Sequence, residues 1–140
     1  MASFNTTGIR SFPAAATAMS AFTRVTLNTA NGTLITCGAT ARAIGFLDLD
    51  SEASSVNPNA LGAVRLPTAP GTRKGIADTA ITAYGYVYAS NSGYVTGAAG
   101  TAGFSANAIT LGLALAPSGQ LVAATALGSV FEFVYLEGLT

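Results

Sequence analysis

Histidine and tryptophan are both absent from this chain of 140 residues. Without histidine the chain lacks the side chain best suited to proton transfer near neutral pH, and neither a Ser–His nor a Cys–His nucleophile pair can form. Zinc and copper sites of the usual kind need histidine or several cysteines, and Cys37 is the single cysteine. The sequence therefore predicts a protein that is not an enzyme and that holds no cofactor and no metal.

The single cysteine also excludes an intramolecular disulfide. Cys37 ends the apolar run Leu-Ile-Thr-Cys, which favours a small buried side chain over a reactive thiol. The sequence does not open with a basic segment followed by an apolar run, so we expect no signal peptide and synthesis in the cytoplasm. Pro-Ser-Gly at residues 117–119 interrupts the most apolar region, which predicts that no helix spans a membrane.

Charge is scarce as well. Charged residues make up 9% of the chain, and six acidic residues balance six basic ones. Residues 79–131 contain no ionisable side chain other than tyrosine. A protein with near-zero net charge has little long-range repulsion between copies, so we expect self-association. Lysine and arginine are not clustered in the way that a nucleic-acid backbone requires, so we expect no nucleic-acid partner.

The apolar residues that are present alternate with polar ones over short runs separated by turn residues. This pattern predicts strands at residues 22–28, 33–37, 42–48 and 63–66, and again at 84–88, 94–96, 109–116 and 130–136. Asn31-Gly32 predicts a hairpin because both residues tolerate positive φ. The fold class is therefore all-β, a small β-sandwich or barrel of short antiparallel strands.

The N-terminal segment reads differently from the rest. Residues 1–21 mix small polar residues with a few isolated apolar ones, which predicts an extended arm before a single β domain at residues 22–140. A short helical turn within residues 14–21 is also possible because of the alanines. Phe4, Ile9 and Phe12 are the candidate partner-binding residues, as anchors exchanged between subunits or laid on another protein.

Two further clusters each have a functional and a structural interpretation. Asp48, Asp50 and Glu52 alternate at a strand end; a solvated strand end is favoured, calcium binding and carboxylate catalysis being the alternatives. Tyr84, Tyr86 and Tyr88 alternate along one strand, where cross-strand packing is favoured over stacking on a ligand.

The second half of the chain carries short motifs that resemble a known family. They read Arg-Lys-Gly-Ile-Ala-Asp-Thr-Ala-Ile-Thr-Ala-Tyr-Gly-Tyr-Val-Tyr at residues 73–88, Gly-Tyr-Val-Thr at 93–96 and Leu-Gly-Leu-Ala-Leu at 111–115, before a strand at 130–136. This arrangement resembles the capsid decoration (cement) proteins of tailed bacteriophages, in which a Val-Tyr, turn, Gly-x-Val-Thr hairpin precedes an Ile-Gly-x-Ala-Leu strand. The sequence departs from that pattern at Leu111 and in its longer segments at residues 97–107 and 120–129.

The resemblance implies a structural virion protein made in the host cytoplasm and bound to the outer surface of a phage head. It would stabilise the head by cross-linking neighbouring major capsid subunits, as a homotrimer or a dimer, with neither nucleic acid nor membrane as partner. The alternative is an adhesive or carbohydrate-binding β-module of a virion fibre or tail.

Overall fold

A computed structural model describes residues 8–15, 18–48, 55–56, 60–98, 107–116, 120, 122–124 and 127–136. The regular structure in these residues is almost entirely β-strand, together with one 3-10 turn at Asn91–Gly93. The antiparallel sheets pack in a sandwich-like arrangement, so the all-β prediction is confirmed. The helical turn considered for residues 14–21 is wrong as far as the described residues show, since Met19–Ser20 forms a strand there.

The first seven strands form the N-terminal half of the fold. They are β1 (Ile9–Pro13), β2 (Met19–Ser20), β3 (Arg24–Leu27), β4 (Leu34–Thr36), β5 (Gly45–Leu47), β6 (Ser55–Val56) and β7 (Leu61–Arg65). Five of them form an antiparallel sheet in the order β1-β7-β5-β3-β4, while β2 pairs with β6 in a separate ribbon.

The last seven strands form the C-terminal half. They are β8 (Arg73–Ile76), β9 (Ile81–Thr82), β10 (Tyr86–Ala89), β11 (Val95–Thr96), β12 (Thr110–Leu115), β13 (Val122–Ala124) and β14 (Val130–Tyr135). Five of these also form an antiparallel sheet, in the order β8-β14-β12-β10-β11, and β9 pairs with β13 in a second ribbon.

The two halves therefore have the same topology, strand for strand, from β1 and β8 to β7 and β14. We call β1–β7 unit 1 and β8–β14 unit 2. In each unit a parallel bridge also joins the two edge strands of the sheet, between Ala14 and Leu34 in unit 1 and between Ala77 and Val95 in unit 2. Each sheet thus curls until its edges meet, which leaves fewer unpaired backbone groups at the edges.

Local detail repeats as well. Phe22 and Tyr84 are non-glycine residues with positive φ, 63° and 58°, and each precedes the third strand of its unit. Their amides donate to the carbonyls of Leu47 and Ala114, at 2.7 and 2.9 Å. The sequence Thr-Ala-Met-Ser-Ala-Phe at residues 17–22 matches Thr-Ala-Ile-Thr-Ala-Tyr at residues 79–84. The fold is an internal duplication with diverged sequences.

Each unit has its own cluster of buried apolar side chains. The unit 1 cluster contains Ala14, Met19, Val25, Leu34, Leu47 and Val64. The unit 2 cluster contains Ala77, Ile81, Val87, Ala89, Val95, Leu111, Ala114, Phe131 and Phe133, and it also contains Phe46 from β5 of unit 1. The Phe46 ring lies 5.4 Å from the Phe133 ring and 5.7 Å from the Tyr135 ring, both edge-to-face, so it joins the two units.

Most predicted strands agree with the observed ones to within a few residues. The hairpin at Asn31-Gly32 forms with a wider turn than expected, closed by hydrogen bonds from the Asn28 amide to Thr33 and from the Gly32 amide to Asn28. Both β6 and β8 lie in segments for which the sequence pattern predicted no strand. Residues 9–13, within the predicted arm, form β1 and pair with β7 from Ile9–Arg65 to Pro13–Leu61.

Two buried arginines hold loops in place. In unit 1, Arg24 donates to the carbonyls of Gly38 and Ala41, at 3.1 and 2.9 Å. Arg73, at the start of unit 2, donates to Leu66 at 3.0 Å and Ala69 at 2.8 Å, and its guanidinium lies 5.3 Å from the centre of the Tyr135 ring. Burial lowers the pKa of Arg73, and repulsion by Arg65 adds to the effect. Arg73 therefore fixes the connection between the two units.

Candidate interaction surface

Each unit has a row of three side chains at equivalent positions on the same face of its sheet. The two rows differ in how far they are buried. In unit 1 the row is Arg24, Phe46 and Arg65, which are in register on β3, β5 and β7. The matching row in unit 2 is Tyr86, Leu113 and Val134 on β10, β12 and β14.

Unit 2 covers Phe46, the central residue of the unit 1 row, while the unit 2 row faces solvent. Arg24 and Phe46 are buried, and Phe46 packs into the unit 2 core. In contrast, Tyr86 is 61% exposed, Val134 is exposed and Leu113 is half-buried. Apolar side chains exposed side by side on one sheet face are typical of an interaction site.

Tyr84 extends this apolar surface. Its counterpart in unit 1, Phe22, packs against the other unit, with the Lys74 ammonium 5.5 Å from the centre of the ring. Tyr84 itself is 70% exposed. We call Tyr84, Tyr86, Leu113 and Val134 the outer face of unit 2.

A cleft of about 350 Å³ adjoins the outer face. Its lining consists of Lys74, Leu115, Ala116, Ala123, Val130, Phe131 and Glu132. Lys74 and Glu132 are direct cross-strand neighbours on β8 and β14, and Glu132 also accepts a hydrogen bond from the Thr72 hydroxyl. Lys74 and Glu132 are thus an adjacent pair of opposite charge, and the other residues that line the cleft are apolar.

The three predicted anchor residues differ in where the structure places them. Phe4 lies outside the described residues. Ile9 is 38% exposed at the beginning of β1, the edge strand of the first sheet. Phe12 is half-buried and packs against the unit 1 core, with the Arg10 guanidinium 5.4 Å from the centre of its ring. β1 therefore combines an inward anchor with an exposed stretch at Ile9, Arg10 and Ser11.

The acidic cluster can be followed only at Asp48, because Asp50 and Glu52 lie outside the described residues. The Asp48 carboxylate accepts a hydrogen bond from the Arg65 Nε at 2.9 Å, so it forms an ion pair within unit 1. Within the described ranges, three or more side chains of His, Cys, Asp or Glu never come together as a metal site would require.

The remaining predictions concern Cys37 and the tyrosines. Cys37 is buried, as its apolar setting predicts, and its thiol lies 3.2 Å from the Ala41 carbonyl. Tyr86 and Tyr88 lie on β10, with a shift of register between Val87 and Tyr88, and Tyr84 lies in the turn before the strand. The tyrosines therefore form a less regular row than strict alternation implies.

The outer face was not singled out from the sequence, although a signal for it exists. Residues 110–115 and 130–135 carry apolar side chains on both faces of their strands, more than a sheet with one solvated face requires. The repeated motif at residues 17–22 and 79–84 shows in addition which positions of the two halves correspond.

Comparison with protein-family models, curated protein sequences and solved structures gave no match for this chain. In the part of the chain that the structure describes, no helix has the length and apolarity needed to cross a membrane.

Proposed function

We propose that this protein is a capsid decoration protein that binds the outer surface of a tailed-phage head and cross-links neighbouring major capsid subunits. Its role on the virion is structural rather than catalytic, and its partners are the major capsid protein and further copies of itself. The host cytoplasm is where the chain is made.

The observation that carries the proposal is how the family motifs fall on the fold. The motifs at residues 73–136 span one complete unit, from the beginning of β8 to the end of β14. Unit 1 repeats the topology of unit 2, although it matches the family only in its style of alternating strands.

Two further features support a cross-linking role. The exposed surface includes an apolar face on unit 2 and an edge strand on unit 1, so a single chain offers two separate contact surfaces. A protein with several contacts gains avidity because each later contact is effectively intramolecular. Phe4 and Ile9 of the N-terminal segment would contribute to contacts with the shell or with a neighbouring subunit, whereas Phe12 packs inward on the unit 1 core.

Co-sedimentation tests the proposal. The purified protein is mixed with expanded heads that lack decoration and, as a control, with unexpanded procapsids. We expect saturable binding to expanded heads alone, and the plateau gives the number of copies per shell. Equal binding to both particles, or binding to neither, would overturn the proposal.

A matched pair of variants addresses the N-terminal segment. Phe4→Asp should weaken binding to heads, whereas Leu127→Asp, at an exposed apolar residue in a turn far along the chain, should leave binding unchanged. A Phe4→Asp protein that binds heads as well as the wild type would remove Phe4 from the contact.

The second candidate, an adhesive or carbohydrate-binding module of a fibre or tail, has one observation in its favour. Tyr84 and Tyr86, two residues apart in the chain, are both largely exposed, as sugar-stacking aromatics are. Screening against an array of bacterial surface glycans distinguishes the candidates, since a cement protein should bind none of them.

A further inference from the structure

The contact between unit 1 and unit 2 has an unoccupied counterpart on the outside of the molecule. Inside the chain, Phe22 and Phe46 on one face of unit 1 pack against unit 2. The counterpart of that face is the outer face of unit 2, with Tyr84, Tyr86 and Leu113 in the matching positions. Tyr84 and Tyr86 are exposed there, and Leu113 is half-buried.

The surface that receives Phe22 and Phe46 also has a counterpart. Phe22 lies against Lys74 on β8, and Phe46 lies against Tyr135 at the end of β14. The pairing registers identify the equivalent residues of unit 1. Arg73 pairs with Phe133 on β14, and Arg10 pairs with Val64 on β7. Arg10 is therefore equivalent to Arg73, and Ser11 is equivalent to Lys74. Leu66 follows β7 in the position of Tyr135. Ser11 and its neighbour Ile9 are exposed at the sheet edge.

We propose that a second copy of this chain docks head to tail, with the outer face of unit 2 in one copy packed on the β1 edge of unit 1 in the next. The contact continues outside the molecule the packing that joins the two units inside it. Tyr84 of one copy would lie against Ser11 of its neighbour, as Phe22 lies against Lys74 within the chain.

Several properties of the two surfaces favour a second copy as the occupant. Both surfaces carry little charge. Arg10 is the one charged residue among residues 9–11, and the outer face of unit 2 consists of Tyr, Leu and Val. The surfaces differ from each other, so the contact is heterologous, and a heterologous contact generates either a closed ring or an open chain. The biological role of this contact rests on the proposed function, but the test of the contact needs only the purified protein.

Complementary variants test the contact by sedimentation velocity. Tyr86→Glu should break the outer face of unit 2, and Ile9→Glu combined with Ser11→Glu should break the β1 edge. Burying a carboxylate in an apolar contact is costly, so each variant should weaken self-association by roughly tenfold or more. Leu127→Glu, which changes an equally exposed apolar side chain in a turn, should associate as the wild type does.

Mixing the two broken variants gives the decisive result. Each retains the surface that the other has lost, so the mixture should form a one-to-one dimer that grows no further. A wild-type protein that stays monomeric, or a mixture that does not associate, would overturn the proposal. If the wild type is monomeric and Tyr86→Glu no longer binds heads, the outer face contacts the shell instead of a second copy. That result would leave the proposed function standing.

A crosslink provides a second measurement that does not depend on disruptive charges. Tyr84→Cys and Ser11→Cys are made in separate chains, and Cys37 is buried and so should not compete. Mild oxidation of the mixture should give a disulfide-linked dimer that contains one chain of each kind. Equal yields from either variant alone would contradict the head-to-tail arrangement.

Discussion

Phe46 is the side chain through which the two units depend most directly on each other. It belongs to β5 of unit 1, but its ring is buried in the core of unit 2 against Phe133 and Tyr135. The unit 1 cluster, in contrast, contains side chains of unit 1 alone.

Replacing this ring should be costly. Phe46→Ala should lower the free energy of unfolding by about 3–5 kcal/mol, the usual range for a large buried aromatic side chain. Urea denaturation followed by circular dichroism measures the change. Leu127→Ala, at an exposed turn residue, is the control and should change stability by less than about 0.5 kcal/mol. A similar effect of both substitutions would show that Phe46 does not join the units.

Arg73 and Arg10 occupy equivalent positions but have different roles. Arg73 is buried and donates to the carbonyls of Leu66, Ala69 and Gly71, whereas Arg10 is exposed on β1. A lysine has one charged nitrogen and cannot reach several carbonyls in the planar arrangement that a guanidinium allows.

The same substitution at the two sites is therefore a matched test. Arg73→Lys should cost about 2 kcal/mol, because buried carbonyls of the connecting loop lose their donors. Arg10→Lys should be nearly neutral. Thermal and urea unfolding of both variants measure the difference, and equal stability of the two would mean that the loop does not need its arginine.

At the scale of the elements, two glycines occupy equivalent places on β5 and β12. A Cβ on Gly45 would collide with the carbonyl oxygen of Arg65, and a Cβ on Gly112 would collide with that of Val134. Both oxygens belong to the adjacent strand, β7 or β14, so a side chain at either position would push the paired strands apart. Gly32 makes a useful contrast because it lies in the β3–β4 turn with open space around it.

Alanine substitutions at these three glycines should distinguish the cost of forcing two paired strands apart from the cost of a strained turn. Gly45→Ala and Gly112→Ala should each destabilise the protein by about 3 kcal/mol or more, since backbone atoms block the added methyl group. Gly32→Ala should cost about 1 kcal/mol, which reflects its φ of 72° alone. The free energies of unfolding provide the comparison, and a Gly112→Ala protein as stable as Gly32→Ala would contradict the pairing of β12 with β14.

These elements also show what the sequence can and cannot predict. Alternation placed most of the strands, because one side of each must face an apolar core: Phe131 and Phe133 point inward on β14, and Glu132 points outward. Partners distant in sequence were beyond reach, such as Arg65 for Asp48 or the second unit for Phe46. The acidic side chain at position 48 is paired because β5 and β7 happen to be adjacent, which no local pattern records.

The duplication was the largest feature that periodicity did not reveal. The two halves share few identical residues because a curled sheet needs only apolar side chains inside and small residues at close approaches. In unit 1, the large Phe12 packs on the core cluster that contains the smaller Val64. In unit 2 the sizes are reversed: the position of Phe12 is occupied by Gly75, where an added Cβ would lie 3.1 Å from Phe133. Such exchanges preserve volume and erase sequence identity.

At the scale of the whole molecule, the chain carries natural reporters for each unit. All five tyrosines lie in unit 2, and the single cysteine lies in unit 1. Because Phe46 couples the two cores, we expect the units to unfold together.

A urea titration read by two probes tests this coupling. Tyrosine fluorescence reports on unit 2, and the reactivity of the Cys37 thiol, which is buried when folded, reports on unit 1. The two midpoints should coincide in the wild type. Separate midpoints would mean that each unit is stable without the other.

The duplication also gives one kind of contact two different thermodynamic characters. Within the chain the two units are held together by a short connection, so their effective concentration is high and their contact does not depend on how much protein is present. The same packing between chains is subject to dilution. A single geometry can therefore be permanent inside each molecule and reversible between molecules, and the amount of protein made would by itself decide when assembly begins.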